Sequence, residues 1–211
     1  MAETPVIIIT GPPCSGKSGI ARELASRLRL PYVNKDDIKE SLYDSLGWRN
    51  DEEAQRANDA TYPLLFTFAR ALLEAGCSFI VESNFRPATM NNALRALLAP
   101  HCALVLQVHC TAPVPVLMER FRARWAAGKR HPGHADGRHD ATIERNLRQG
   151  VYGILHTDGP LLQLDTSDWD AVDVTDIVTW VRQAQNAVSR QPSDVACPHP
   201  PVSRKEPSHG L

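Results

Sequence analysis

The sequence predicts a three-layer α/β/α domain around a largely parallel sheet, and three observations carry that reading. Short apolar runs alternate with longer amphipathic segments, the pattern of buried strands joined by crossover helices. A glycine-rich loop connects the first apolar run to the first amphipathic segment. The length, 211 residues, suits one well-buried α/β domain and is too short for two generous ones.

Taken in order, "VIIIT" (6–10) reads as a buried strand and "SGIARELASRL" (18–28) as a helix. "PYVN" (31–34) is a brief second strand, with a helix following from about Asp37 to Leu46. Residues 51–76 read as helix, interruptible near Pro63, with Gly76 as its C-terminal cap. "SFIVES" (78–83) and "ALVLQVHC" (103–110) are strands, each followed by a helix, at 88–99 and 114–127. "GKRHPGHADGRHD" (128–140) has three glycines and a proline and is a loop. A helix at 141–149, a strand "LLQLD" (161–165) and a helix at 174–188 complete a domain spanning residues 1–188. The Pro-rich stretch 189–211 lacks periodicity and reads as a disordered tail, and no internal repeat is present.

Twenty-three Lys and Arg against 24 Asp and Glu give a formal charge of -1, so no global field draws the chain to nucleic acid or an anionic membrane. The charge is unevenly placed. Eight basic residues face four acidic ones between Glu119 and Arg148, and five aspartates without a cation occupy 165–176. The five cysteines are an odd number without CxxC spacing, against a disulfide framework or a zinc site. No apolar run has membrane-span length, and the opening "MAETPVIIITG" is not a secretion signal, so a cytoplasmic location is expected. Nothing in the sequence indicates an oligomeric state.

Gly11, Pro12, Pro13, Cys14, Ser15, Gly16, Lys17 and Ser18 fit G-x-x-x-x-G-K-[ST] in full, between a strand and a helix that Gly19 helps to open. Backbone amides and a helix N-terminus make such a loop a phosphate cradle. The motif assigns nucleoside triphosphate to it, with Lys17 bridging the β- and γ-phosphates and Ser18 ligating Mg²⁺. Cys14 is a small filler or a redox-sensitive thiol.

"VNKDDIKES" (33–41) contains the N-K-x-D letters of a guanine reader. It follows the second strand, 17 residues after Lys17, at the phosphate end of the crevice and not the base end, so that reading fails on placement. Asp37 and Glu40 have capping-box spacing, with Asp37 as N-cap. Asp36, one residue earlier, then points into the crevice from the strand's end, with Lys39 one turn away; the alternative is that both aspartates only cap.

"IIITGPPCSGKS" followed by "VNKDDIKES" resembles the P-loop kinases that include phage-type polynucleotide 5′-kinases, a group also described as AAA-family ATPases. It is also similar to chloramphenicol phosphotransferases and zeta-type toxins. The likeness is close over the first forty residues and holds in motif order over roughly 5–185. It implies the P-loop nucleoside triphosphate hydrolase fold with a lid at about 126–140, ATP and Mg²⁺ as cofactors, and Asp36 as the residue that deprotonates the acceptor hydroxyl. Polynucleotide kinases carry arginine where this chain has Lys39, and lysine lacks the bidentate fork.

Glu82 ends "FIVE" in a Walker-B-like position, suited to ordering a magnesium-bound water or touching the acceptor; Asn84, Phe85 and Arg86 follow as substrate contacts at the rim. Arg124 and Arg130 are the expected lid arginines acting on the transferring phosphoryl group, with Arg120 and Arg138 behind them. His131, His134 and His139 read as hinge or surface residues and not metal ligands. Thr166 and Ser167 are candidates for adenine contact, with the remaining acidic run as capping and solvated surface. Together these predict an ATP-dependent kinase acting on a hydroxyl, with a small-molecule acceptor first. A polynucleotide 5′-hydroxyl is the alternative, with Tyr43, Trp48 and Phe85 as stacking residues. A non-catalytic ATP-binding switch or an ATPase is the third reading.

Overall fold

A computed structural model of the chain describes residues 3–128, 130–134 and 140–189. Its five strands are β1 (Thr4–Thr10), β2 (Tyr32–Asn34), β3 (Phe79–Glu82), β4 (Ala103–Thr111) and β5 (Leu161–Asp165). All neighbouring pairs are parallel, in the order β2-β3-β1-β4-β5. Around them lie α1 (Lys17–Leu28), α2 (Lys35–Leu46), α3 (Asp51–Glu74), α4 (Pro87–Leu98), α5 (Val114–Ala126), α6 (Asp140–Arg148) and α7 (Val174–Ser189). The sheet is wholly parallel where a largely parallel one was expected. β2 is not the neighbour of the phosphate-loop strand; β3 lies between them.

The two faces of β1 explain the three layers. Ile7 and Ile9 join Ile20 and Leu24 of α1 and Ile177 and Val181 of α7 in one core. Val6 and Ile8 join Leu65 and Ala69 of α3 and Leu94 and Leu97 of α4 in the other. A strand buried on both faces reads as a continuous apolar run, and "VIIIT" is one. Each fully buried isoleucine contributes roughly 1.5–3 kcal/mol relative to exposure. A third, smaller core of Leu117, Met118, Phe121, Leu147 and Tyr152 holds α5 to α6 beside the sheet.

Helix α3 runs through Pro63 without a break. The ring removes the bond to the Asp59 carbonyl, but Pro63 and Asp59 are both on the exposed side, where water replaces it. The lid span expected at 126–140 is described only at 126–128, 130–134 and 140, and the tail lies outside the described residues except for Ser189, which closes α7. Cys14, Cys77 and Cys110 are free thiols. Among the described residues no helix is long and apolar enough to cross a membrane.

Where the chain enters β5 it passes tightly against β4. A Cβ added at Gly159 would lie 1.8 Å from the Val105 carbonyl oxygen, a backbone atom that cannot yield cheaply. Gly159→Ala is expected to destabilise the domain by about 2–3 kcal/mol, read as a lowered urea midpoint. A midpoint unchanged from wild type refutes the tight-crossing account.

Candidate active site

The phosphate loop is organised around one carbonyl. Pro12 O accepts from the Ser15 hydroxyl at 2.9 Å and from Lys17 Nζ at 2.7 Å. Gly11 has φ +137°, and a Cβ there would meet the Cys110 carbonyl oxygen at 2.0 Å, so glycine is required where the loop crosses the end of β4. Gly16, with φ +77°, caps α1. Lys17 is buried, and desolvation lowers its ammonium pKa despite the opposing pull of Glu82. Its head rests on the loop's own carbonyl, in a cradle whose charge suits an incoming phosphate.

Glu82 is the junction of the site. Its Oε2 accepts from Ser18 Oγ at 3.0 Å, from the Tyr32 hydroxyl at 2.9 Å and from Asn34 Nδ2. Register places Asn34 directly opposite Glu82 across β2 and β3. Burial, then the Glu82 charge, pushes the Tyr32 phenol far above its ordinary pKa, so Tyr32 remains a donor. Tyr32 and Asn34 were missed as site residues; their signal was alternation on a short strand, which puts both side chains on one face.

Asn34 also corrects the reading of the helix start. It is Asn34 Oδ1, not Asp37, that caps α2, accepting the amides of Asp36 at 2.5 Å and Asp37 at 3.1 Å. The helix begins two residues earlier than expected because asparagine supplies both the cap acceptor and a donor to Glu82, which aspartate cannot. Asp36 therefore sits in the first helical turn and not on the strand. Asp37 pairs with exposed Arg22 at 3.3 Å, and Glu40 accepts from His134 at 2.9 Å, so the capping box is not formed.

Two cations hold Asp36. Arg130 approaches one oxygen at 2.7 Å and Lys35 the other at 3.2 Å, with Lys35 also donating to Asn84 Oδ1 at 2.9 Å. Burial alone would raise the Asp36 carboxyl, but Lys35 and Arg130 outweigh it and hold its pKa well below the usual carboxylate range. The described residues after Arg130 rest on α2. His131 meets Asp44 at 3.1 Å and stacks on Tyr43 at 5.3 Å, and the Tyr43 ring is edge-on to His134 at 5.6 Å. Burial and then Arg130 push His134 down to about 3, so at neutral pH its uncharged Nε2–H donates to Glu40. His131 and His134 dock the loop against α2. Tyr43 is buried by the contact and offers no stacking face to a nucleic acid; Trp48 is edge-on to His131 at 5.7 Å. Arg138 and His139 lie outside the described residues.

A cavity of about 530 Å³ brings together Lys17, Ser18, Asp36, Glu82, Arg124 and Arg130, with Lys39, Asn84, Arg86 and Arg120 also on its wall. Ser18 and Glu82 form an oxygen pair suited to Mg²⁺, one direct and one through water, and among the described residues no cluster of three His, Cys, Asp or Glu could hold a metal alone. Two expected contacts fail. Phe85 is 0 % exposed, buried with Tyr62 in the core beneath the rim. Thr166 is buried and its hydroxyl donates to the Thr111 carbonyl at 3.0 Å, so its side chain faces away from a nucleotide. Arg120 donates to the carbonyls of Thr166 and Ser167 at 2.7 and 2.9 Å. The ring that does flank the loop is Trp169, 44 % exposed, lying over Gly16 and Gly19 and forming with Arg120 a second pocket of about 270 Å³. An aromatic residue inside an otherwise acidic, solvated run was its sequence signal.

The AAA domain family matches residues 6–149. A Chloroflexus aurantiacus protein, described provisionally as a kinase, has a crystal structure 39 % identical to this chain with a TM-score of 0.80, over 86 % of this chain and 99 % of that one. A Janibacter sugar kinase (18 % identity, TM-score 0.52, 87 % and 95 % coverage) and a Sinorhizobium meliloti gluconokinase (14 %, 0.52, 91 % and 100 %) share the fold. An uncharacterised Mycobacterium tuberculosis protein is 29 % identical over 144 residues, 65 % of this chain, and the chain spans 27 % of that relative's length.

The double role of Asn34 has a stability consequence. Asn34→Ala is expected to cost about 1–2 kcal/mol in urea denaturation through the lost cap, and Asn34→Ser to recover most of it. Equal losses in the two variants would show that the Glu82 bond, and not the cap, dominates.

Proposed function

The chain belongs to the AAA domain family, with a P-loop kinase-like domain, and from that premise we propose that it transfers the γ-phosphoryl group of ATP to a hydroxyl of a small molecule. One observation carries the reading: the Asp36 carboxylate opens onto the same cavity as Lys17 and Ser18 of the phosphate loop. A non-catalytic switch has no use for a carboxylate at that place, and a hydrolase would use it on water, so an acceptor panel separates the two enzymatic readings.

ATP lies with its base in the pocket between Trp169 and Arg120, and its phosphates in the loop. Ser18 and Glu82 would hold Mg²⁺, which would supply positive charge to offset that of the phosphate oxygens. The acceptor oxygen attacks the γ-phosphorus, the bond to the β–γ bridging oxygen breaks and ADP leaves. The hydroxyl proton passes to Asp36. A carboxylate held this strongly by cations is a weak base, which suits a loose transition state in which the proton departs late. Lys17, Arg124 and Arg130 oppose the charge on the moving phosphoryl group, so catalysis is positioning plus electrostatics. The cavity volume favours a small acceptor, and burial of Tyr43 and Phe85 removes two of the three rings expected to stack an oligonucleotide.

Asp36→Asn is expected to keep ATP binding and to lower acceptor-dependent ADP formation at least a hundredfold, measured across a panel of hydroxyl compounds that includes 5′-hydroxyl oligonucleotides. If no acceptor raises ADP release above the water-only rate, or Asp36→Asn leaves that release intact, the switch or ATPase reading stands instead. Activity requires ionised Asp36 and falls as pH drops through its pKa. Arg130→Ala removes one of the cations that depress this pKa, so the acid limb of the kcat/KM profile should move to higher pH, with Arg130→Lys moving it less. A limb that stays in place excludes Asp36 as the titrating group.

A further inference from the structure

Lys35 stands where local physics disfavours a cation. It is the first residue of α2, behind the Asn34 cap, where the helix amides carry partial positive charge and repel an ammonium. Its side chain is only 16 % exposed, which adds a desolvation cost. Among the described residues only α1 and α2 begin with a cation, and in α1 that residue is Lys17, whose place the phosphate loop explains. A residue that breaks a local rule twice points to a task in the site.

What the ammonium touches defines that task. Lys35 Nζ lies 3.2 Å from Asp36 Oδ1 and donates to Asn84 Oδ1 at 2.9 Å. Side chains at adjacent helical positions do not face each other, so Lys35 needs a hold outside α2 to stay against Asp36, and Asn84 supplies it. Asn84 lies two residues beyond Glu82, the last residue of β3, so the hold is built on the strand that carries Glu82. Arg130 takes the other oxygen, Asp36 Oδ2, at 2.7 Å. With one cation on each oxygen, the plane of the carboxylate is fixed. The other titratable groups that feel this carboxylate are His134, uncharged at neutral pH, Glu40 and Lys17.

We propose that Lys35 and Asn84 form a positioning pair for the reaction: Asn84 anchors Lys35, and Lys35 fixes the Asp36 carboxylate toward the acceptor hydroxyl. Asn84 then acts through Lys35 and not by touching the substrate. This rests on the phosphotransferase reading for what Asp36 does, but the hold on Asp36 itself is measurable without turnover. Precision is the reason for such a pair, since a reacting group misplaced by about 1 Å can lose roughly a hundredfold in rate.

The first measurement is carbon-13 NMR titration of the Asp36 carboxyl in the full chain, without nucleotide or acceptor. Lys35→Met should move the midpoint to higher pH, because a cation that favours the charged form is gone, and Lys35→Arg should restore most of the difference. Asn84→Ala, which leaves both charges in place, should move it the same way by less, and repeats the test independently of Lys35→Met. The second measurement is a double-mutant cycle in kcat, on a compound from the hydroxyl panel that the wild-type chain phosphorylates. Lys35→Met should lower kcat roughly tenfold or more and Asn84→Ala by less, with KM for ATP changed less than twofold, and the double variant should be no slower than Lys35→Met alone. An unmoved midpoint in either Lys35→Met or Asn84→Ala overturns the proposal. Additive losses in the cycle also overturn it, and assign Asn84 to the substrate. Midpoints that move while no acceptor is turned over support the hold on Asp36 and count against phosphotransfer instead.

Discussion

A single carboxylate oxygen, Glu82 Oε2, ties the site together. It receives hydrogen bonds from the start of α1, through Ser18, and from two side chains of β2, Tyr32 and Asn34. β2 is only three residues long and lies at the sheet edge, so its own ladder is a weak tether. The polar contacts at its C-terminal end supply what length cannot. Because Asn34 then spends its other atom on the first amides of α2, the orientation of the helix bearing Asp36 is set by the same oxygen that accepts from the Ser18 hydroxyl.

The electrostatic design is a contrast between two environments. Lys17 is stripped of water and rests on a carbonyl, an acceptor that a phosphate outbids readily. Asp36 keeps a side chain 38 % exposed and is restrained by charge instead. Arg130 holds one oxygen of that carboxylate at 2.7 Å. The segment that brings Arg130 is seated by His131, His134 and Tyr43, whose contacts are aromatic and hydrogen-bonded and do not depend on a charged imidazole at His134.

Much of the fold was legible because its signals are local and periodic. The unbroken apolar run at 6–10, the loop of glycines and the amphipathic helices each report their own burial. What escaped were choices between adjacent residues. Asp37 has the letters of a cap, but Asn34 won because only an amide can accept from α2 and donate to Glu82 together. Phe85 follows polar residues at a strand end, yet it is buried in the core. Thr166 and Trp169 are three residues apart, and which one meets the loop depends on a turn conformation that no pattern in the letters encodes. The salt bridge between Arg130 and Asp36, 94 positions apart, is tertiary and had no local trace.

The strand order has a consequence for how such a protein can change. On the proposed reading, residues of the nucleotide half come from the loop after β1 and from Arg120 and Trp169 around β4 and β5, whereas those of the acceptor half come from 34–39 and 82–86 around β2 and β3. The two substrates are therefore encoded in largely separate stretches of chain, and substitutions or insertions between β2 and α4 can retune the acceptor while the donor grip is inherited unaltered.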